Sequence, residues 1–305
     1  MKISLFCRPH QLPGGDPTLF AEAARLADEA GLHSIHLGEH VVMGDRTDRY
    51  PFGEFKHETD TPWLEPLLVL ATAASVTSRL RFSTGILLAP LRSGPMMAKQ
   101  LATLDVLTSG RLEPGVGIGW QREEFSVSGV PWAERYARLD ANMRACRRLW
   151  GEQPVQLEGA DGVTHEVSAW PVPVQSRMPI LLGLAPTPAN IQRIVEYADG
   201  WCPVRLTPPQ LAEGVSAIRA AFVQAGRDPE SLIVRTQAQL VLHTDGRIDV
   251  PATLAIGHDY AKAGATVLAV GPTQGCASMA DVADLIHELA TVSARLAPND
   301  EEQHD

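Results

Sequence analysis

Short apolar runs alternate with amphipathic runs along almost the whole chain. The first apolar run, 2–7, has the length of a buried strand. Thr18 to Gly31 follows with a helical period. Leu19, Ala23, Leu26, Ala27 and Ala30 share one face, and Gly31 stands where a helix C-cap belongs. The same alternation predicts strands over 34–38, 81–88, 112–118, 179–183, 200–204, 232–242 and 266–270. It predicts helices over 63–76, 94–108, 132–150, 188–197, 209–225, 251–262 and 279–296, the first with Pro62 in its opening turn. Two stretches break the rhythm: a long polar loop, 39–61, and an irregular piece, 151–178. The second holds two β-like runs around Gly159-Ala160-Asp161-Gly162, which reads as a hairpin turn.

Eight strand–helix units predict an α/β fold, a closed (β/α)8 TIM barrel with insertion segments. At about 150 residues per domain the 305-residue length suggests two domains. No linker divides the chain, so one barrel over residues 1–298 uses the length, with 299–305 (NDEEQHD) as a polar acidic tail. In such a barrel the chemistry belongs to the loops after the strands.

Charge narrows the partners. The chain carries 26 basic and 36 acidic side chains, a net −10. That argues against nucleic acid or an anionic membrane as a partner, since both need a basic footprint. A small anionic ligand needs only local positive potential. No run of 18 apolar residues predicts a membrane span, and MKISLFCRPH is too short for a signal-peptide core. Cys7, Cys146, Cys202 and Cys276 are scattered, which suits reduced thiols in a cytoplasmic protein.

Four segments, three at predicted strand ends and one within a predicted strand, carry candidate chemistry. His36-Leu37-Gly38-Glu39-His40 matches the zinc pattern H-x-x-E-H, but that pattern needs a helix. On a strand four residues span roughly 13 Å, too far for one metal, so no metal is expected. Glu39 and His40 instead become the first polar residues past the second strand, pointing into the barrel mouth. Histidine holds or passes a proton near neutral pH, and an adjacent carboxylate tunes it; two ordinary loop residues fit the same position. Gly115-Val-Gly117-Ile-Gly119-Trp120 lacks dinucleotide-fingerprint spacing, and reads as a ligand-facing turn or as barrel packing. Gly183-Leu184-Ala185-Pro186-Thr187 enters a helix whose N-terminus suits a phosphate, or which Thr187 simply caps. Gly85 within Ser83-Thr84-Gly85-Ile86 suggests a bulge. Arg79, Arg81, Arg92, Lys99, Arg111 and Arg122 form a basic third that either offsets an anionic cofactor or is solvated surface.

Several long motifs in order resemble the bacterial-luciferase-like superfamily. They are WLEPLLVLATAASVTSRLRFSTGILLAP, MAKQLATLDVLTSGRLEPGVGIGWQREEF and ERYARLDANMRACRRLW, followed by WPVPVQ (170–175) and EYADGW (196–201). The likeness covers residues 1 to 205 well and the last third loosely. It implies a (β/α)8 barrel using reduced FMN or the deazaflavin F420, and Arg49-Tyr50-Pro51 with the central motifs resembles the F420 branch. By resemblance, Glu39 and His40 lie beside the cofactor ring. Thr84, Gly85 and Ile86 match a strand bulge that often carries a non-prolyl cis peptide. Gly117, Gly119 and Trp120 face the cofactor, and Gly183, Leu184, Ala185 and Thr187 match the phosphate loop.

This sequence departs from the family in three places. Leu184 and Pro186 alter the phosphate loop, Pro114 interrupts the fourth strand, and Trp120 stands where sugar-phosphate-oxidising members place a glutamate. The expectation is an F420-dependent oxidoreductase. In it His40 handles the proton, Glu39 orients His40 or contacts the cofactor, and Trp63 and His57 shape the pocket for a small-molecule substrate. The alternatives are a reduced-FMN monooxygenase and a non-catalytic flavin-binding protein on the same scaffold. A homodimer is expected by analogy with family members.

Overall fold

The computed structural model describes residues 1–151, 153–159, 161–237, 241–245, 248–271 and 276–295. Its strands are β1 (Lys2–Phe6), β2 (Ser34–Leu37), β3 (Arg81–Thr84), β4 (Leu87–Leu88), β5 (Leu112–Glu113), β6 (Gly115–Gly117), β7 (Val155–Glu158), β8 (Thr164–Val167), β9 (Leu181–Leu182), β10 (Gly200–Trp201), β11 (Ile233–Gln237) and β12 (Val267–Val270). Its α-helices are α1 (Phe20–Glu29), α2 (Pro66–Ala74), α3 (Gly94–Leu107), α4 (Arg122–Val127), α5 (Arg135–Leu149), α6 (Pro188–Tyr197), α7 (Pro208–Gln224), α8 (Val250–Lys262) and α9 (Met279–Arg295).

Two expected strands are each split in two. The run 81–88 breaks at a cis peptide bond between Gly85 and Ile86. The run 112–118 breaks at Pro114, which has no N–H to give to a ladder. The main sheet runs β4-β6-β9-β10-β11-β12-β1-β2-β3-β5. β3 pairs with β5 and β4 with β6, both in parallel. The two ends of the sheet are therefore halves of the same neighbouring strands, and the sheet closes on itself. Eight parallel strands form the barrel, as the alternation predicts.

The other departures are local. α2 starts at Pro66, not at 63, because the Glu65 side chain accepts from Leu68 N at 2.8 Å and caps the helix there. α5 starts at Arg135 after a 3-10 turn, Trp132–Glu134. α4 has no counterpart in the sequence reading, because six residues are too few to show a period. β7 and β8 form the expected antiparallel hairpin, with Gly162 N donating to Gly159 O at 3.0 Å. Ala160 of that turn, residues 238–240 of the predicted seventh strand, and 296–305, including the acidic tail, lie outside the described residues.

Alternation along the strands sorts two interiors. Ile3, Leu5, Ile35, Leu37, Phe82 and Leu268 join the apolar layer between strands and helices. Their neighbours of opposite parity, Ser4, Ser34, His36 and Ser83, are buried but polar. Ser34 Oγ donates to Ser4 Oγ at 2.8 Å, and Ser4 Oγ bonds His36 Nδ1 at 2.8 Å. Arg235 on β11 donates to Ser83 Oγ and, at 2.7 Å, to Thr84 O. β12, β1 and β2 separate those two strands in the sheet, so this contact crosses the inside of the barrel.

At the opposite end from the mouth, Asp28 of α1 ties down the turn entering β3. Its carboxylate accepts from Ser78 N, Arg79 N and Leu80 N. Burial alone would raise its pKa, but these donors outweigh it and hold the group below the ordinary 3.8. Asp28→Ala is expected to lower the unfolding free energy by about 2–3 kcal/mol, since three backbone donors lose a charged acceptor. The depressed folded pKa places this stability above the ordinary aspartate range, with its loss as pH falls through the folded value. Urea unfolding of wild type and variant at neutral and acid pH checks both. An equal difference at both pH values contradicts the role.

Candidate active site

The first residues past β2 turn in different directions. Glu39, buried, accepts from Leu88 N at 2.6 Å and takes Arg92 in a two-pronged ion pair, Nη2 to Oε1 at 2.6 Å and Nη1 to Oε2 at 2.9 Å. Arg92 Nη2 also reaches Glu65 Oε1 at 2.9 Å. His40 turns instead to Glu124 of α4: its Nδ1 lies 3.2 Å from Oε2, while Val41 N donates to Oε1 at 2.6 Å. Glu124 has a fully buried side chain. The expectation that Glu39 orients His40 is therefore corrected, and Glu124 takes that place. A carboxylate only accepts, so His40 Nδ1 carries the donated hydrogen and Nε2 is the atom left to exchange a proton.

His36 does not join them. It stacks on Phe6 at 4.7 Å, and burial with the nearby Arg235 and Arg8 holds it well below the usual histidine range. His36, Glu39 and His40 thus have three separate sets of partners. Among the described residues no three His, Cys, Asp or Glu side chains gather as a metal set.

Around His40 stands a wall of rings. Trp63 lies 4.9 Å away, Trp120 5.8 Å and Phe55 5.9 Å, all edge to face. His57 packs on Trp63 at 5.0 Å and on Phe55 at 5.3 Å. Burial first, then Arg8, His10 and His40, lower His57 to about 4, so it is neutral at pH 7. The structure thus brings together His40, Trp63, His57 and Trp120, four of the residues that the sequence analysis singles out. It adds Tyr50, Phe55, His10 and Arg8.

The loop after β2 is pinned across this mouth. Gly44 N donates to Gln121 Oε1 at 2.9 Å, Arg49 pairs with Glu123 at 2.9 Å, and Arg205 past β10 donates to Phe52 O. The polar stretch between the second strand and second helix is thus a cover that carries aromatic residues inward.

Behind the mouth the cis Gly85–Ile86 bond turns the chain between β3 and β4. A Cβ on Gly85 would stand 2.7 Å from His36 Cδ2, and one on Gly117 would stand 2.2 Å from Ile86 Cδ1. Gly85 needs glycine for this close approach to the buried His36 ring, and a side chain at Gly117 would displace Ile86. Thr84 Oγ1 donates to Gly115 O at 2.6 Å and ties the two split strands together. Gly119 adopts φ +66° and lets Trp120 reach the mouth.

The phosphate-loop candidates follow β9. Thr187 N donates to Ala185 O at 2.8 Å, its Oγ1 caps Asn190 N at 3.4 Å, and Trp201 Nε1 donates to Leu184 O at 2.8 Å. Pro186 and Pro188 carry no N–H. What remains is the dipole of α6 and few donors. The basic third is mostly spent elsewhere. Arg79 and Arg111 donate to backbone carbonyls, Arg81 pairs with Glu113, and Lys99 donates to Trp170 O. Arg122 lies over Trp132, and Arg92 pairs with Glu39 and Glu65 at the mouth.

A family model described as luciferase-like monooxygenase matches residues 1–289. The chain belongs to that family. An uncharacterized protein of Mycobacterium tuberculosis is 35% identical over 216 residues, 68% of this chain and 75% of its own. A phthiodiolone/phenolphthiodiolone dimycocerosates ketoreductase of Mycobacterium bovis is 30% identical, over 71% of this chain and 59% of that protein. Among solved structures, the monooxygenase RslO1 of Streptomyces bottropensis superposes with a TM-score of 0.75 at 23% identity, covering 95% of this chain and 98% of that one. An F420-dependent secondary alcohol dehydrogenase, in complex with an F420–acetone adduct, gives 0.75 at 18% identity, covering 95% and 97%. The chain is thus a member of the luciferase-like oxidoreductase family, and the structures that share its fold include an F420-dependent dehydrogenase and a monooxygenase in complex with FMN. Among the described residues no helix is long and apolar enough to cross a membrane.

Proposed function

We propose that this luciferase-like protein is an F420-dependent oxidoreductase that interconverts a carbonyl and an alcohol. The observation that carries the reading is the His40–Glu124 pair, a proton-handling group set among aromatic rings in a barrel mouth. The ketoreductase relative and the F420-dependent neighbour support it.

The residues present fit a planar cofactor at the ring end. The glycine-lined turn at Gly85–Ile86 would lie behind the ring, Gly117, Gly119 and Trp120 beside it, and α6 with Gly183 to Thr187 would meet the phosphate. Hydride donation and acceptance is the chemistry F420 supplies when bound. His40 supplies the proton. In reduction its protonated Nε2 gives a proton to the carbonyl oxygen as that carbon takes a hydride, and neutral Nε2 accepts it back in oxidation. Glu124 steadies the charged ring, and the loop over 41–61 excludes water.

A fluorescence titration of the full chain tests the cofactor choice. F420 is expected to saturate at lower concentration than FMN; tighter FMN binding sinks the F420 reading and favours the monooxygenase.

A further inference from the structure

The proton chemistry leaves Arg8 without a task. Arg8 follows β1, so it stands at the mouth end of the barrel. Its contacts are the Phe6 ring, 4.1 Å from the guanidinium carbon, and a long 3.4 Å hydrogen bond to Gln11. Among the described residues no carboxylate pairs with it, and its Nε is buried without a hydrogen-bond partner. His10 Nε2 and Trp63 Nε1 are in the same condition. The three residues line one small cleft, closed by Leu37, Gly38 and Leu64.

A shielded guanidinium with no counter-charge is costly, and so is each unpaired buried N–H. Burial lowers the Arg8 pKa to about 10, which leaves it a cation at neutral pH. His10 is lowered too, by burial first and Arg8 second, so it adds no positive charge but offers a neutral ring nitrogen. The cleft thus holds one cation, Arg8, although the chain as a whole carries −10. A forked cation with two further nitrogens, between apolar walls, matches a flat anion with two oxygens.

Resting on the oxidoreductase reading of the same mouth, we propose that this cleft binds a carboxylate of the substrate, making the enzyme specific for a keto acid and its hydroxy acid. Trp63 contacts both His10, at 5.3 Å, and His40, at 4.9 Å. A carboxylate held by Arg8 therefore leaves a carbonyl a few carbons away within reach of His40.

The test is calorimetric titration of the full chain, saturated with F420, with 4-oxopentanoate and with 2-pentanone, a keto acid and a neutral ketone of the same chain length. Wild type is expected to bind the acid at least 10-fold tighter. Arg8→Gln is expected to remove that preference, and Arg8→Lys, which keeps charge but loses the fork, to restore part of it. F420 affinity is expected to be unchanged in both variants. Equal binding of the two probes by wild type overturns the proposal, as does a preference that survives Arg8→Gln. Weakened F420 binding in Arg8→Gln also overturns it, because the cofactor would then be the anion held. In the cofactor-free chain, an Arg8-dependent acid preference with no F420 binding would sink the F420 reading and leave the carboxylate site standing.

Discussion

Replacing His40 by alanine is expected to lower kcat for carbonyl reduction by about 10²- to 10⁴-fold, the usual worth of a positioned acid–base group. The expectation follows from placement. His40 is the mouth residue whose ring is fixed at one nitrogen by a buried carboxylate, with the other nitrogen left for exchange. The cofactor affinity is expected to change little, because the loss is of proton transfer. Fold is expected to survive, since Glu124 keeps its bond from Val41 N. Glu124→Gln serves as the companion variant. It keeps the shape but weakens the hold on the His40 tautomer, so kcat falls while His40 remains in place. Single-turnover rates separate these outcomes, and a chemical step unchanged in His40→Ala removes that residue from the mechanism.

Arg92→Met is expected to cost about 3–5 kcal/mol of stability, the price of stranding a buried charge. Arg92 is the partner that both Glu39 oxygens share, and the Glu39 side chain is only 2% exposed. Without it, Leu88 N is the one backbone donor left on Glu39. Adding Glu39→Gln to Arg92→Met is expected to recover a large part of the loss, since the stranded charge is gone. Denaturant unfolding of the two single variants and the double one closes the cycle. A loss under 1 kcal/mol in Arg92→Met would show that this ion pair does not hold the mouth together.

These two residues show what the sequence discloses and what it hides. The barrel is legible because burial on both strand faces and one helix face shows in the residue pattern, and His40 and Trp120 follow strand ends, where that pattern directs attention. The partner of Glu39 is not legible. An acidic residue next to a histidine suggests a pair, yet on extended chain neighbouring side chains point to opposite sides. Glu39 therefore meets Arg92 after β4, and His40 meets Glu124 on α4. That helix was invisible to periodicity because it has six residues. Arg8 and His10 were missed although Cys7-Arg8-Pro9-His10 follows the first strand, where the same strand-end rule applies. Their signal was positional and lacked a motif. Of the two readings open for the arginines at 79, 81 and 111, neither a cofactor nor plain solvent takes them: they bond backbone carbonyls or Glu113 at the strand starts, away from the mouth.

The central claim is tested most directly by mixing the full chain with reduced F420 and a ketone under strict anaerobiosis. The account predicts reoxidation of the deazaflavin in step with alcohol formed, one for one. No reoxidation without oxygen, together with product formed only from reduced FMN and O₂, would contradict it.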